Sequence, residues 1–280
     1  MMRGFPQVTG LTLILVVVIA TAFAPSEPVR GLPFQPPGMG HLLGTDDVGH
    51  DVLAEVQRGG RVSLIVGLAV GLSTIVLGSV IGGLAGIVQR LDAPLMGMVD
   101  FFLVIPRLPL VILVSLYLRP GVTNVILLLS LLGWPSVART IRPLVRGIAQ
   151  AEFVLAARSW GAGPLYLLRR HVLPQCRGVL LAQSVFEARY GVMAEAGLGF
   201  LGLEEPTTKS WGMMMAYAFG HPATFVSPVW KWTVIPPALA LVALTLGLGL
   251  VGLGLETRLD PRLGPSPTSH PGKLLEGDPV

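Results

Sequence analysis

Long apolar runs, separated by short polar turns, set the plan of this chain. The first occupies residues 4–25 and is just long enough to span a bilayer core. The second lies between Arg61 and Arg90. A third is predicted at 105–118, followed by a tight Arg119-Pro120-Gly121 turn, and a fourth runs from there to about Ala138. The fifth starts at Val179 and reaches about Leu203, and the sixth runs from Trp232 to Leu255. In lipid a backbone must satisfy its own hydrogen bonds, so six such runs predict an all-α integral membrane protein with six transmembrane helices. Arg3, the apolar stretch 11–20 and Ala22-Phe23-Ala24 also fit a cleaved signal peptide. Pro25 is a poor residue after a cut, so a retained first span is expected.

Composition strengthens this picture. Charged residues are 13% of the chain and hydrophobic ones 52%, with a mean hydropathy of +0.69. The net charge of +4 does not mark a nucleic-acid binder. The basic residues flank the apolar spans rather than form one patch interleaved with aromatics, which is a topology signal. If the loop after the fourth span is cytosolic, alternation puts twelve basic residues inside, including Arg3, Arg90, Arg139, Arg142, Arg146, Arg262 and Lys273, and six outside. Both termini are then cytosolic. The single cysteine, Cys176, excludes an internal disulfide or a cysteine metal cluster.

The connections carry their own expectations. Residues 25–60 are polar, and Thr45 or Asp46 is predicted to cap a helix there. His41, Asp46, Asp47, His50 and Asp51 are metal-ligand types, but a capped, solvated helix accounts for them. Gly67 with Gly71, and Gly78 with Gly82 and Gly86, form small-residue ridges for helix packing. Residues 91–106 read as a turn lying along the interface, with Asp92 and Asp100 at headgroup level and Arg107 snorkelling back to it. The glycines from Gly197 to Gly202 are expected to unwind the fifth span near the outer surface, and Trp211, Tyr217, Trp230 and Trp232 to sit at the interface beyond it. Three domains result: residues 1–60, a first span and an external loop with a short capped helix; residues 61–256, a core of five spans; and residues 257–280, a disordered cytosolic tail.

The fifth span carries Glu187, Arg189 and Glu195. A charge at mid-bilayer costs roughly 2.5–3.5 kcal/mol on insertion scales, so such groups face a cavity or a partner. Glu187 and Arg189 are two apart and point to different helix faces. They either line a pathway or pair with charges on a neighbouring span or subunit.

The stretch of residues 152–174, between the fourth and fifth spans, reads as helix, glycine turn, helix. Its Ala156-Ala157, Gly161 and Val172-Leu173-Pro174 resemble the EAA loop of ABC importer permeases, with Leu155 at the usual Glu position. His41-Leu42-Leu43-Gly44-Thr45-Asp46-Asp47-Val48-Gly49-His50-Asp51 resembles the H-x-L-G-T-D-x-x-G-R-D motif of one permease subunit of dipeptide, oligopeptide and nickel importers, with His50 for Arg. Residues 195–212 resemble that family's E-A-x-L-S-F-L-G-L-G-x-x-P-P-x-P-S-W-G, with Gly199 for Ser.

The resemblance implies a type I ABC importer permease fold with a cytosolic coupling helix. It implies coupling to an ATPase through Leu155, Ala156, Ala157, Arg158, Gly161, Ala162, Leu168 and Pro174. It implies a translocation pathway near Glu187, Arg189, Glu195 and Phe200, and an external family motif at Gly44, Thr45, Asp46, Gly49 and Asp51. The partners would be a second homologous permease, two ATP-binding subunits and an external substrate-binding protein. ATP and Mg would be bound by the ATPase subunits, with no cofactor and no metal on this chain. The sequence holds no G-x-x-x-x-G-K-[ST], H-E-x-x-H or G-x-S-x-G, so it carries no P-loop, zincin or serine-hydrolase signature. A self-contained secondary transporter with Glu187, Arg189 and Glu195 as a relay is the alternative. An intramembrane hydrolase would need a Ser-His or paired-Asp constellation at membrane depth, which is not visible.

Overall fold

The structure is a computed structural model and describes residues 5–25, 30–205 and 207–259. Arg3, Arg262, Lys273 and residues 260–280 of the expected tail lie outside the described residues. The helices are α1 (Phe5–Ala22), α2 (Val52–Ile87), α3 (Gln89–Val104), α4 (Arg107–Ser115), α5 (Val122–Ile148), α6 (Glu152–Ser159), α7 (Pro164–Leu167), α8 (Leu173–Phe200), α9 (Trp211–Gly220), α10 (Ala223–Val226), α11 (Trp230–Thr233) and α12 (Ile235–Leu259). A π-helical turn, Leu168–Val172, joins α7 to α8. Among the described residues extended pairing is limited to two isolated bridges in the 30–51 segment.

The spine is α2. Its 36 residues extend about 54 Å at 1.5 Å per residue, beyond the roughly 30 Å of a bilayer core. Both predicted glycine ridges are used, each by a different neighbour. A Cβ on Gly78, Gly82 or Gly86 would stand 2.4–2.7 Å from Val137, the Ala138 carbonyl or Val145 of α5. A Cβ on Gly67 or Gly71 would stand 2.6–2.8 Å from Val192 or the Ser184 carbonyl of α8. Without side chains there, α5 and α8 close directly onto the α2 backbone. On the far side α1 lies against α12 at Gly10, where a Cβ would stand 2.7 Å from the Gly247 carbonyl.

Among the described residues, three helical segments are long and apolar enough to cross a membrane on their own: Val52–Ile87, Val122–Ile148 and Trp230–Thr257. α3 and α4 make a fourth if counted as one broken span, bent by 74°. This corrects the expectation for 91–118. The first part is a helix rather than a turn, and the apolar run 105–118 holds only the nine-residue helix α4, sharply bent from α3. Pro106 holds φ and Ile105 before it is extended, at φ −77° and ψ 124°, as a residue preceding proline prefers. Asp92 and Asp100 each take an arginine of α5: Arg142 binds Asp92 through two nitrogens, and Arg139 lies 2.6 Å from Asp100.

Other boundaries move for identifiable reasons. Asp51, not Thr45 or Asp46, caps the helix, and that helix is α2 itself: the Ala54 N–H donates to Asp51 Oδ1 at 2.9 Å. The expected gap before the fifth span is closed by the π-turn, where the Leu173 N–H donates to the Leu168 carbonyl. This widened turn carries the chain past Pro174, whose ring would otherwise crowd the preceding turn. The glycines of 197–202 do not unwind α8 from Gly197. It stays helical to Phe200 and stops at Gly202, which has φ +72° and closes the helix end as such glycines do. Trp211 and Trp232 are buried rather than interfacial, each donating its indole N–H to a carbonyl, of Val56 and Thr45.

The ridge makes a sharp prediction. Gly82→Ala sets a methyl 2.4 Å from the backbone oxygen of Ala138 and is expected to destabilise the fold by about 1–3 kcal/mol. Gly97→Ala, with nothing within 4 Å of its Cβ position, is expected to stay within about 0.5 kcal/mol. Thermal unfolding in detergent distinguishes the two.

Candidate functional site

Three clusters bear chemistry: at the middle of the bundle, at the end that carries the 30–51 segment, called the outer end after the expected topology, and at the end that carries α6 and α7, called the inner end. The middle one is ionic. Glu187 of α8 is buried and accepts from Ser136 Oγ at 2.6 Å and from Arg107 Nη2 at 3.1 Å. Arg107 also donates to the Leu132 carbonyl at 2.8 Å and lies 4.7 Å from the centre of the Tyr190 ring. Gly133 makes the room, since a Cβ there would stand 2.4 Å from Thr74 and 3.1 Å from Glu187. Arg107 therefore does not snorkel; it turns inward from the broken span and neutralises Glu187. Arg189 leaves α8 on a different face, exposed, beside Gly249 of α12, where a Cβ would stand 3.3 Å from its guanidinium. The structure does not bring Glu187, Arg189 and Glu195 together. Glu195 lies two turns further out, against α2 and the outer loop.

The outer cluster ties the 30–51 segment and the loop after α8 to the spine. Thr45 is fully buried, donates to the Leu32 carbonyl at 2.6 Å and accepts from the Gln35 N–H at 2.8 Å. Gly44 and Gly49 both have positive φ, and a Cβ on either would meet a backbone oxygen, of Gln35 or Gly31, within 2.5 Å. Asp46 accepts from the His50 N–H at 2.7 Å and from Lys209 Nζ at 2.8 Å. Asp51 adds His41 Nδ1, at 2.8 Å, to its capping contact. These motif residues build the loop. Phe200 is half exposed and meets Phe219 of α9 edge-on at 5.9 Å. Glu204, in the loop after α8, is buried under Ser210; burial pushes its carboxyl up to about 7 against the opposing hydrogen bond from Ser210.

At the inner surface, α6, α7 and the π-turn pack one face onto the feet of α2 and α5. Val154, Leu167, Leu168 and Val172 join Ile87, Ile141 and Val145 in one core cluster. Leu168 fills the space over Gly83, where a Cβ would stand 2.8 Å from it. Ala157 and Ala162 are half-buried against the same cluster. Leu155, Ala156, Arg158, Gly161 and Pro174 are exposed. Gly161 has φ +85° and open space above it. The eight loop residues singled out by sequence thus divide: Leu168 anchors the loop from inside, and the five exposed residues face outward. A polar groove of about 230 Å³ adjoins them, lined in part by Asp92, Arg146, Leu155 and Arg158.

The sequence profile of the family described as binding-protein-dependent transport system inner membrane component matches residues 74–265. This chain belongs to that family. It is 36% identical over 263 residues to a putative peptide transport system permease protein of Brucella suis, covering 91% of this chain and 87% of the relative. It is 33% identical over 269 residues to a di/tripeptide transport system permease protein of Pseudomonas aeruginosa, with the same coverage. The ABC importer permeases named by its motifs are the right relatives. A permease moves a solute and is not itself catalytic.

Sequence reasoning missed four groups in this permease. Ser136 and Tyr190 around Arg107–Glu187, and Ser63 beside Glu195, carry no individual signal, whereas Glu204 stands where the resembled motif has Gly. The pairing of Arg107 with Glu187 was open to detection: they are opposite charges within two apolar runs, and each demands a partner. Arg107→Gln leaves Glu187 as a buried unpaired charge and is expected to cost about 3 kcal/mol, the low end for a broken buried pair because Arg107 is partly exposed. The double variant Arg107→Gln/Glu187→Gln is expected to recover most of that loss. A double-mutant cycle by thermal unfolding checks it; equal losses in single and double variants contradict the pairing.

Proposed function

We propose that this permease is the membrane subunit of an ATP-driven importer that moves peptides, or nickel and related small solutes, across the cytoplasmic membrane. It would pair with a second homologous permease, two ATP-binding subunits and an external substrate-binding protein. ATP and Mg would act on the ATP-binding subunits. Six spans, with α3–α4 as a broken one, and cytosolic termini follow from alternation and from the basic excess on the loop side. The observation that carries this reading is the two-faced loop around α6. Its inner face is locked to α2 and α5, while Leu155, Ala156 and Arg158 are exposed, with no covering element among the described residues. Such a loop passes a push on its outer face directly to the spine. The peptide reading of the cargo draws on the relatives' names.

The secondary-transporter alternative is disfavoured by geometry: Glu187 is tied to Arg107, and Glu187, Arg189 and Glu195 occupy separate faces. Arg189, exposed on α8 beside Gly249 and without an ion pair among the described residues, would face the cargo's anionic groups.

Two outcomes follow. Ala156→Cys is expected to crosslink to an ATP-binding subunit in native membranes; the native Cys176 is 2% exposed and gives little background. Crosslinks to lipid or detergent alone contradict the docking role. Arg189→Gln is expected to lower uptake of peptides with a free C-terminal carboxylate roughly tenfold relative to their amides, the equivalent of about 1.4 kcal/mol in the barrier. An unchanged ratio contradicts the cargo-facing role.

A further inference from the structure

Two acidic side chains meet in a sealed seam at the outer end of the permease. Glu195 of α8 is 1% exposed and Glu204 of the following loop 3% exposed. Ser63 Oγ of α2 donates to Glu195 Oε2 at 3.0 Å, and Ser210 Oγ, at the start of α9, donates to Glu204 Oε2 at 2.6 Å. The remaining oxygen of each, Oε1, is buried without a hydrogen-bond partner. The two carboxyls are within reach of one another.

An ionised carboxylate only accepts hydrogen bonds, so two of them side by side have nothing to exchange. Two buried like charges are also costly, and one proton relieves both problems by making one acid a donor to the other. The basic groups of the surrounding elements are placed elsewhere. On α2, Arg61 donates to the Thr21 and Ala24 carbonyls and Arg58 binds Glu55. Lys209, before α9, holds Asp46 and lies 3.8 Å from Glu55. On α8, Glu187 is paired with Arg107, and Arg189 lies beside Gly249 of α12. Glu205 is exposed and accepts from Thr207. Tyr217 of α9 lies under Lys209, and α1 contributes no charged group.

A second observation shows that the space is built for this pair. A Cβ on Gly199 would stand 2.6 Å from Ser210 Oγ and 2.8 Å from Glu204 Oε2. The motif that this segment resembles, E-A-x-L-S-F-L-G-L-G, has Ser at position 199 and Gly at position 204. The two departures therefore go together: the side chain missing at Gly199 leaves the volume that the Glu204 carboxyl fills.

We propose that Glu195 and Glu204 form a buried site for a single shared proton, and that this proton latches the outer loop and α9 onto α8 and α2. When the proton leaves to water, two like charges face each other and the latch loosens. The direction of the pH dependence is fixed by Glu204, whose carboxyl sits above its ordinary value, at about 7. A raised acid stabilises the closed form at low pH, and that contribution fades as pH rises towards about 7.

The test uses the permease in its complete transport complex, in lipid nanodiscs. Hydrogen–deuterium exchange of residues 203–214 is measured between about pH 5.5 and about pH 8.5, corrected for the intrinsic rate; protection is expected to fall roughly tenfold in the wild type. Glu204→Gln keeps the size and one donor of the protonated acid, and is expected to stay protected throughout. Infrared spectroscopy of the wild type is expected to show a protonated-carboxyl band that titrates over the same range and is lost in Glu204→Gln. Identical pH responses in wild type and Glu204→Gln, or no protonated-carboxyl band at low pH, overturn the proposal. A midpoint that moves with sodium concentration at fixed pH also overturns it, by making the occupant a metal cation.

Discussion

Everything in this permease depends on how closely α5 and α8 approach the backbone of α2. Glycines on two ridges remove the side chains that would hold those helices apart, so contact is made with backbone oxygens at Ser184 and Ala138. Lipid tails are as apolar as leucine, so close packing and interhelical hydrogen bonds hold such helices together. The same spine then organises both ends. Gly83 receives Leu168 and fixes the inner loop, and Ser63 receives Glu195 and fixes the outer seam. Under the proposed function, a displacement at α6 would be carried to α2 and α8 by packed side chains, as a discrete rearrangement rather than a soft deformation.

The charges are managed differently at three depths. At the inner rim, Asp92 and Asp100 meet α5 arginines that remain partly or largely exposed, so these pairs add orientation more than stability. In the middle, Arg107 and Glu187 are enclosed, with Ser136, Tyr190 and the Leu132 carbonyl occupying their remaining valences. There the pair prevents a loss more than it provides a gain, because either charge alone would be stranded. At the outer end two acids meet without a base, and a proton takes the role that arginine has below.

Much of this was legible in the sequence. The apolar runs, the glycine ridges and the three motifs name the class and the family, because each is a local pattern. The failures occur where a tertiary partner overrode local chemistry. Asp46 has the residue type of a helix cap, but Lys209 and the turn to His50 claim it, so Asp51 caps α2. Arg107 has the position of a snorkelling residue, but Glu187 draws it inward. Residues 197–200 are glycine-rich, yet stay helical because Ala194, Leu198 and Glu195 are packed on their buried side. Leu168 reads as part of an exposed loop, and only the gap over Gly83 shows that it points in. In each case the deciding residue is far along the chain and leaves no periodic trace.

The most direct measurement of the central claim is uptake in proteoliposomes holding the permease pair, with and without its ATP-binding subunits and substrate-binding protein. The account predicts accumulation only in complete complexes supplied with ATP inside the liposomes on the loop side, and none driven by an ion gradient alone. Sustained uptake by the permeases without ATP-binding subunits would contradict it.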